Sequence, residues 1–414
     1  IVEHKILKGD SLKYWSIASK LENNFFSFPD KYRIAQLYPK IIFLHNKFLG
    51  QKFFDAEGNA ILDKKLNIFY FQLIIYFFSL IILFKILKKK ISVKYIPELI
   101  VLTLSIDPFI NQVHHGIYTE SIFCSLLIIF ISSFLSLNFN SKRNCFFLGM
   151  IIGFLFFQRS AAIYYVVSLI PVFLFYYKDN WFKISTSVIF GYFSILFIIS
   201  LISFNTLGKF IVVPSQGNDA LYGYLAPNIF AKQNNITKSE AKRIFFYDKE
   251  EEFININNLD IGNFEDRLTL FKYKKKYAKE VIFSDLFITT KVLVYNYSKN
   301  LLIHYNWVTE FFNSPGKKYQ ETIHRVVREK NSFLKRSIYS IIFVLITFIG
   351  FIYSFKVLHK KIIFFLFVSI IYFFAVTGWI GNPRYFLPSY LFSQFFFAIG
   401  IFFILQSIKK KINF

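Results

Sequence analysis

The stretch IFYFQLIIYFFSLIILFKIL, residues 68–87, carries a single charge, Lys85, and is followed directly by Lys88-Lys89-Lys90. About 20 apolar residues at ~1.5 Å rise reach ~30 Å, the depth of a bilayer's hydrocarbon core. Eight more apolar runs follow, at 96–110, 118–137, 146–157, 161–177, 184–204, 338–355, 362–377 and 385–406. The second and fourth are short, which suits a tilted or half-inserted segment. The expected fold class is therefore all-α: a polytopic transmembrane helix bundle of about nine spans.

Composition agrees. Of 414 residues, 55% are apolar and only 18% charged, and the mean hydropathy is +0.43. A soluble chain would distribute its apolar residues over compact cores rather than long runs. The formal charge is +24. Dominance of Phe, Ile, Lys, Asn and Tyr reflects an AT-rich coding bias as much as chemistry. No basic, aromatic-interleaved soluble module accompanies the charge, so no nucleic-acid partner is expected. Cys124 and Cys145 read as buried thiols, not as a disulfide or a metal site.

Lysine and arginine in short loops orient such a bundle. With Lys88, Lys89, Lys90 and Lys94 inside, every second short loop is basic. The others are those with Lys142 and Arg143, Lys178 and Lys183, and Lys356, Lys360 and Lys361, with Lys409, Lys410 and Lys411 at the end. The alternate loops, 111–117, 158–160 and 378–384, are nearly uncharged. Lys330, Lys335 and Arg336 depart from the pattern, at the end of a long translocated region where the charge rule is weak.

Four regions result: an outer-face loop with amphipathic surface helices at 1–67, an N-terminal bundle at 68–204, a mostly helical outer-face region at 205–336, and C-terminal spans at 337–414. In the first, Gly9-Asp10-Ser11 precedes Leu12, Trp15, Ala18 and Leu21, the pattern of a capped amphipathic helix lying on the membrane. In the third, Thr237 and Ser239 can open one helix, and Asn263 with Glu265 and Asp266 another. Residues 284–312 read as one long amphipathic helix, interrupted by Lys291, Lys299 and His304.

No nucleotide-phosphate loop, H-E-x-x-H, paired C-x-x-C, D-x-D or G-x-S-x-G occurs, so an ATP-driven pump and a soluble-type transferase are disfavoured. Ionisable groups gather at the outer surface: Asp10, Arg33, Asp107, His114, His115, Glu120, Arg159 and Arg384. Charges at the bilayer edge are costly, and their gathering on one leaflet is the functional clue. Asp10 reads equally as a helix cap and as a general base whose carboxylate the apolar interface makes more basic. Arg159 and Arg384 read as interfacial snorkelling side chains or as a fork of donors for a phosphate or pyrophosphate. His114 and His115 are adjacent and point different ways, which disfavours a shared metal. Glu120 opens a helix that must enter lipid, and a helix-ending turn accounts for Asp107-Pro108 as well as function does.

These residues resemble a family. Asp10-Ser11-Leu12-Lys13-Tyr14-Trp15-Ser16-Ile17-Ala18 is similar to the acidic, aromatic first outer loop of GT-C membrane glycosyltransferases, which include protein O-mannosyltransferases and lipid A aminoarabinose transferases. Arg33 with Leu37-Tyr38-Pro39, then Thr119-Glu120, Gly149…Gly153…Arg159 and Arg384-Tyr385…Pro388 resemble later landmarks in the same order. Protein O-mannosyltransferases carry an acidic pair where Asp10 is followed by Ser11, which favours the broader bacterial group. Family members place this loop after a first span, so one is expected before Ile1.

The resemblance implies a polyprenyl-phosphate sugar donor, a lipid, glycan or protein acceptor, and a multi-pass protein of the bacterial inner membrane with its site on the periplasmic face. Asp10 would be the base, and Arg159, Arg384 and Arg33 would hold the lipid phosphate. His114, His115, Glu120, Tyr38 and Tyr385 would be candidate substrate contacts. No cofactor or metal is required, although a divalent cation bridging a carboxylate and the phosphate is compatible with the chemistry. Tyr222, Tyr224, Tyr295, Tyr297, Tyr305 and Trp307 are candidates to present rings to sugar, or else to pack helices. A polymerase or ligase acting on lipid-pyrophosphate-linked glycans is the alternative. A flippase is disfavoured, because Gly is scarce and the span centres are nearly all apolar.

Overall fold

The computed structural model describes residues 10–27, 37–55, 68–114, 116–210, 212, 220–302, 330–380 and 383–412. Among them regular structure is helical. Helices α1 (Asp10–Ser19) and α2 (Leu37–Phe48) precede α3 (Ile68–Lys90), α4 (Ile96–Ile106), α5 (Pro108–His114), α6 (Thr119–Ser136) and α7 (Lys142–Gln158). The short α8 (Tyr165–Ser168) and α9 (Ile170–Tyr176) lead to α10 (Trp181–Leu207). A second group comprises α11 (Ala226–Gln233), α12 (Lys238–Arg243), α13 (Glu250–Ile256), α14 (Phe264–Ser284) and α15 (Leu286–Leu302). The chain closes with α16 (Lys330–Val357), α17 (Lys360–Gly378) and α18 (Pro383–Ile412).

Among the described residues, six helices are long and apolar enough to cross a membrane: α3, α6, α10, α16, α17 and α18; a bent pair, α4 and α5, would make seven. Two of the nine runs fall short for local reasons. Helix α7 has only 17 residues. The run at 161–177 breaks into a 3-10 turn, α8 and α9, with Pro171 in the first turn of α9 supplying no amide hydrogen to continue the preceding helix. The elbow of 52° between α4 and α5 has a similar cause: Pro108 pushes Asp107 to φ −61°, ψ 120°, out of the helical region.

Glycine sets the closest crossing. A Cβ on Gly149 would collide with the backbone carbonyl of Val188, and one on Gly191 with that of Phe146. Helices α7 and α10 thus touch backbone to backbone, as small residues spaced by four permit. Gly350 and Gly400 allow a like approach of α16 and α18.

Helices α1 and α2 form a layer over the ends of α3 and α6. Of the expected apolar face, Trp15, Ala18 and Leu21 are buried, while Leu12 is exposed; the three share a core with Ile42, Phe43 and Phe53, and with Ile117 and Ile122 at the start of α6. The Trp15 indole donates to the Phe53 carbonyl at 2.8 Å. The face packs on protein, which anchors the start of α1 to the bundle.

Lys40 is buried in this layer, its ammonium donating to the carbonyls of Ser27 and Phe25. Burial pushes its pKa down to about 8 from an ordinary 10.5. Between those values the unfolded chain holds more protons than the folded one, so stability rises as pH rises from about 8 to 10.5. Thermal unfolding across that window should show the rise in the native sequence, and Lys40→Met should remove it.

In the second helical group, Thr237 caps α12 by accepting from the Glu240 amide at 3.2 Å, and Asn263 caps α14 from Glu265 at 3.0 Å, as the sequence suggests. The helix expected at 284–312 begins at Leu286 and runs unbroken to Leu302. Asp285 is extended, and its carboxylate accepts from the Ile288 amide at 2.9 Å, so it starts a new helix rather than continuing the old one. Residues 303–312 lie outside the described residues.

Candidate functional site

Antiparallel succession puts Lys88–Lys90, the start of α7, the start of α17 and the end of α18 at one end of the bundle. The buried ion pair and the amide side chains around it lie at the other end.

Their centre is an ion pair. Arg159 Nη1 lies 2.8 Å from Glu120 Oε1, with both side chains almost wholly buried. Glu120 is in the first turn of α6, where a carboxylate faces the positive end of the helix dipole. Arg159 terminates α7 in extended conformation, its amide donating to Leu155 O at 2.8 Å, where a cation faces the negative end. The guanidinium also lies 5.2 Å from the Tyr385 ring and 5.8 Å from that of Phe123. Rings on two sides lower the cost of desolvating it.

A hydrogen-bonded frame holds the pair. Gln158 donates to the Thr119 carbonyl at 2.8 Å, tying the end of α7 to the start of α6. Gln72, in α3, donates to the carbonyls of His114 (3.2 Å) and Gly116 (3.1 Å), fixing the turn that leads into α6. Tyr38 in α2 donates to the Gln72 side-chain oxygen. Burial first, then the neighbouring Tyr14 and Glu120, raise the Tyr38 pKa well above the tyrosine range, so its hydroxyl remains a donor. Gln72 and Gln158 were not among the expected site residues. Their one signal was a polar amide set in an otherwise apolar run.

The expected residues divide. Glu120, Arg159 and Tyr385 come together, and Tyr38 is tied through Gln72 to the turn that precedes Glu120. His114 is buried in α5 rather than in a solvated loop; its Nδ1 lies 2.7 Å from Ser121 Oγ, and its ring packs 4.3 Å from Tyr76. Asp10 and Arg384 fall in the first turns of α1 and α18, but their side chains lie outside the described residues, as do Arg33 and His115 entirely. The neighbours of Asp10 and Arg384 place their backbones nonetheless. Ser11 Oγ donates to Ile117 O at 3.4 Å, three residues before Glu120, and Tyr385 contacts Arg159 directly.

Asp107 sits deeper, at the α4–α5 elbow. It accepts from Tyr390 and from Gln394 (2.8 Å) of α18, and from the Ile110 amide at 2.9 Å. It joins the helix that carries Arg384 and Tyr385 to the elbow. Among the aromatic candidates, Tyr222 is fully buried and packs on Phe245, so it presents no face; Tyr295 is 66% exposed. Tyr297 is committed to α17, donating to Ala375 O at 2.8 Å. Tyr305 and Trp307 lie outside the described residues. Among the described residues no three metal-ligating side chains of His, Cys, Asp or Glu gather together.

The chain matches no protein-family model, no curated protein and no solved structure.

Proposed function

We propose that this chain is a GT-C-type membrane glycosyltransferase that moves a sugar from a polyprenyl-phosphate donor to a lipid, glycan or protein hydroxyl. The proposal places the site on the periplasmic face of a bacterial inner membrane, in a bundle of nine spans with residues 205–336 forming an outer-face domain.

One observation carries the reading. Segments around residues 11, 38, 120, 159 and 385, far apart in sequence, meet at the end of the bundle opposite the basic loops. The charges that the sequence sets at one leaflet need a common reason, and a phosphate-bearing lipid supplies one.

The chemistry follows from the residue types. The acceptor oxygen attacks the anomeric carbon, and the bond from that carbon to the phosphate oxygen breaks. Polyprenyl phosphate departs with the electron pair, and its growing negative charge is met by Arg159, Arg384 and Arg33. Asp10 takes the acceptor's proton. A single displacement inverts the anomeric centre. Glu120 holds the Arg159 guanidinium in place between its rings.

The test is turnover by detergent-solubilised protein with a panel of polyprenyl-phosphate sugars, beside Asp10→Asn. Loss of a general base is expected to cut turnover by about 10²–10⁴-fold, with folding intact because Asn also caps helices. Undiminished turnover in the variant would remove Asp10 from the mechanism. Use of a pyrophosphate-linked glycan alone by the folded native protein would replace the reading with a polymerase or ligase.

A further inference from the structure

Helix α15 is amphipathic in an unusual sense, because both of its faces are committed to something other than water. One face is bonded to the end of span α17. Asn296 donates to Trp379 O at 2.8 Å, Asn300 to Gly378 O at 2.6 Å and Tyr297 to Ala375 O. These are the last carbonyls of a helix, which have no partners within it, so α15 is fixed at the level where α17 ends. The opposite face is apolar and open. Phe287, Val294 and Tyr295 are each 60% exposed or more, as are Leu286 at the first position of α15 and Phe283 at the end of α14. Lys291 lies on this face with its ammonium 4.1 Å above the Phe287 ring, the posture of a lysine whose stem follows apolar surface while its head seeks water.

Lys299 stands one turn beyond Tyr295 on α15, and Lys238 and Lys242 stand one turn apart on α12. Enclosure by neighbouring atoms first, and the charges of Lys242 and Lys299 second, push the Lys238 ammonium down to about 8, although the side chain keeps solvent contact. Among the described residues none of these three lysines makes an ion pair. Three lysines against one acid, Glu240 of the same α12 turn, next to an apolar strip at the end of a span, match a layer that offers acyl chains and phosphates side by side.

We propose that α15 lies in the headgroup layer of the bilayer, its Phe287–Tyr295 face among the upper acyl carbons and Lys238, Lys242 and Lys299 on anionic lipid phosphates. The surface is then continuous with the lipid-facing flank of α17, where Phe367 and Ile371 are exposed. This inference rests on the membrane-spanning reading and not on the transferase.

The test uses the full chain in nanodiscs, with an environment-sensitive fluorophore on Val294→Cys and, separately, on Phe287→Cys. Protein without an added cysteine is the blank, since Cys124 and Cys145 are buried. Lipid carrying a nitroxide near the top of the acyl chain should quench both labels, and aqueous iodide should quench them at least about fivefold less than a free fluorophore–thiol adduct. Iodide quenching equal to the adduct's would overturn the proposal by showing a water-exposed face. Protection from both quenchers would overturn it in favour of cover by a second copy or another segment. Nitroxide-labelled phosphatidylglycerol should quench about twofold more than nitroxide-labelled phosphatidylcholine, and the excess should vanish in Lys238→Gln/Lys242→Gln/Lys299→Gln. Equal quenching by the two lipids would overturn the assignment of the lysines.

Discussion

Glu120→Ala is expected to lower the stability of the protein by about 3–5 kcal/mol, because it leaves the Arg159 guanidinium buried without its counter-charge. Arg159→Ala should cost a similar amount for the reciprocal reason, and each should show as a large fall in thermal unfolding temperature in detergent. The informative variant is the double one. With Glu120→Leu and Arg159→Met together, two apolar side chains of related size occupy the space and no charge is stranded. Removal of both members of a buried pair is often near neutral, whereas removal of one is not. The double variant should therefore melt within about 1 kcal/mol of the native protein, while turnover of a polyprenyl-phosphate sugar is lost with the guanidinium. A double variant that folds and turns over normally would reduce the pair to a structural tie between α6 and α7. One that fails to fold would mean that the rings of Phe123 and Tyr385 require a cation, not merely bulk.

The route from sequence to this pair shows what one-dimensional reasoning reaches. Glu120 and Arg159 were each identifiable as charges at a membrane edge, because an apolar run on one side of a charge is visible in the sequence. Their partnership was not, since it depends on the angle at which α6 and α7 meet, and on Gln158 gripping the Thr119 carbonyl. The breaks have the same character. Asp107-Pro108 announces an elbow locally, but that Asp107 meets Tyr390 and Gln394 nearly three hundred residues later is a property of packing. The sequence reading opens this helix at Ser284, one residue short of its cap; that Asp285 turns extended and accepts from the Ile288 amide is what fixes the start. His114 illustrates the opposite failure. A His-His-Gly turn reads as solvated, yet Gln72 ties down the turn's carbonyls and lets the His114 ring sink against Tyr76.

The Gly149…Gly153…Arg159 pattern supports the most severe expected substitution. A methyl on Gly191 meets the backbone carbonyl of Phe146, and one on Gly149 meets that of Val188. Backbone cannot rotate away as a side chain can, so the helices must separate along their length. Gly191→Ala is expected to cost about 3 kcal/mol, the top of the overpacking range, and Gly191→Leu to prevent assembly. At Gly153 a Cβ lies 2.6 Å from the Ile195 Cβ, an atom that no rotamer change moves although it is not backbone carbonyl, so Gly153→Ala should cost about 2 kcal/mol, less than Gly191→Ala. Thermal unfolding of the three variants in one detergent checks the order. Equal, small losses would mean that α7 and α10 can slide, and that the crossing does not fix the site. The consequence for function follows from length: α7 ends in Gln158 and Arg159, so a helix lifted off α10 carries the guanidinium away from Glu120. Gly191→Ala should then depress turnover even at temperatures where it remains folded, and Gly153→Ala should do so to a smaller degree.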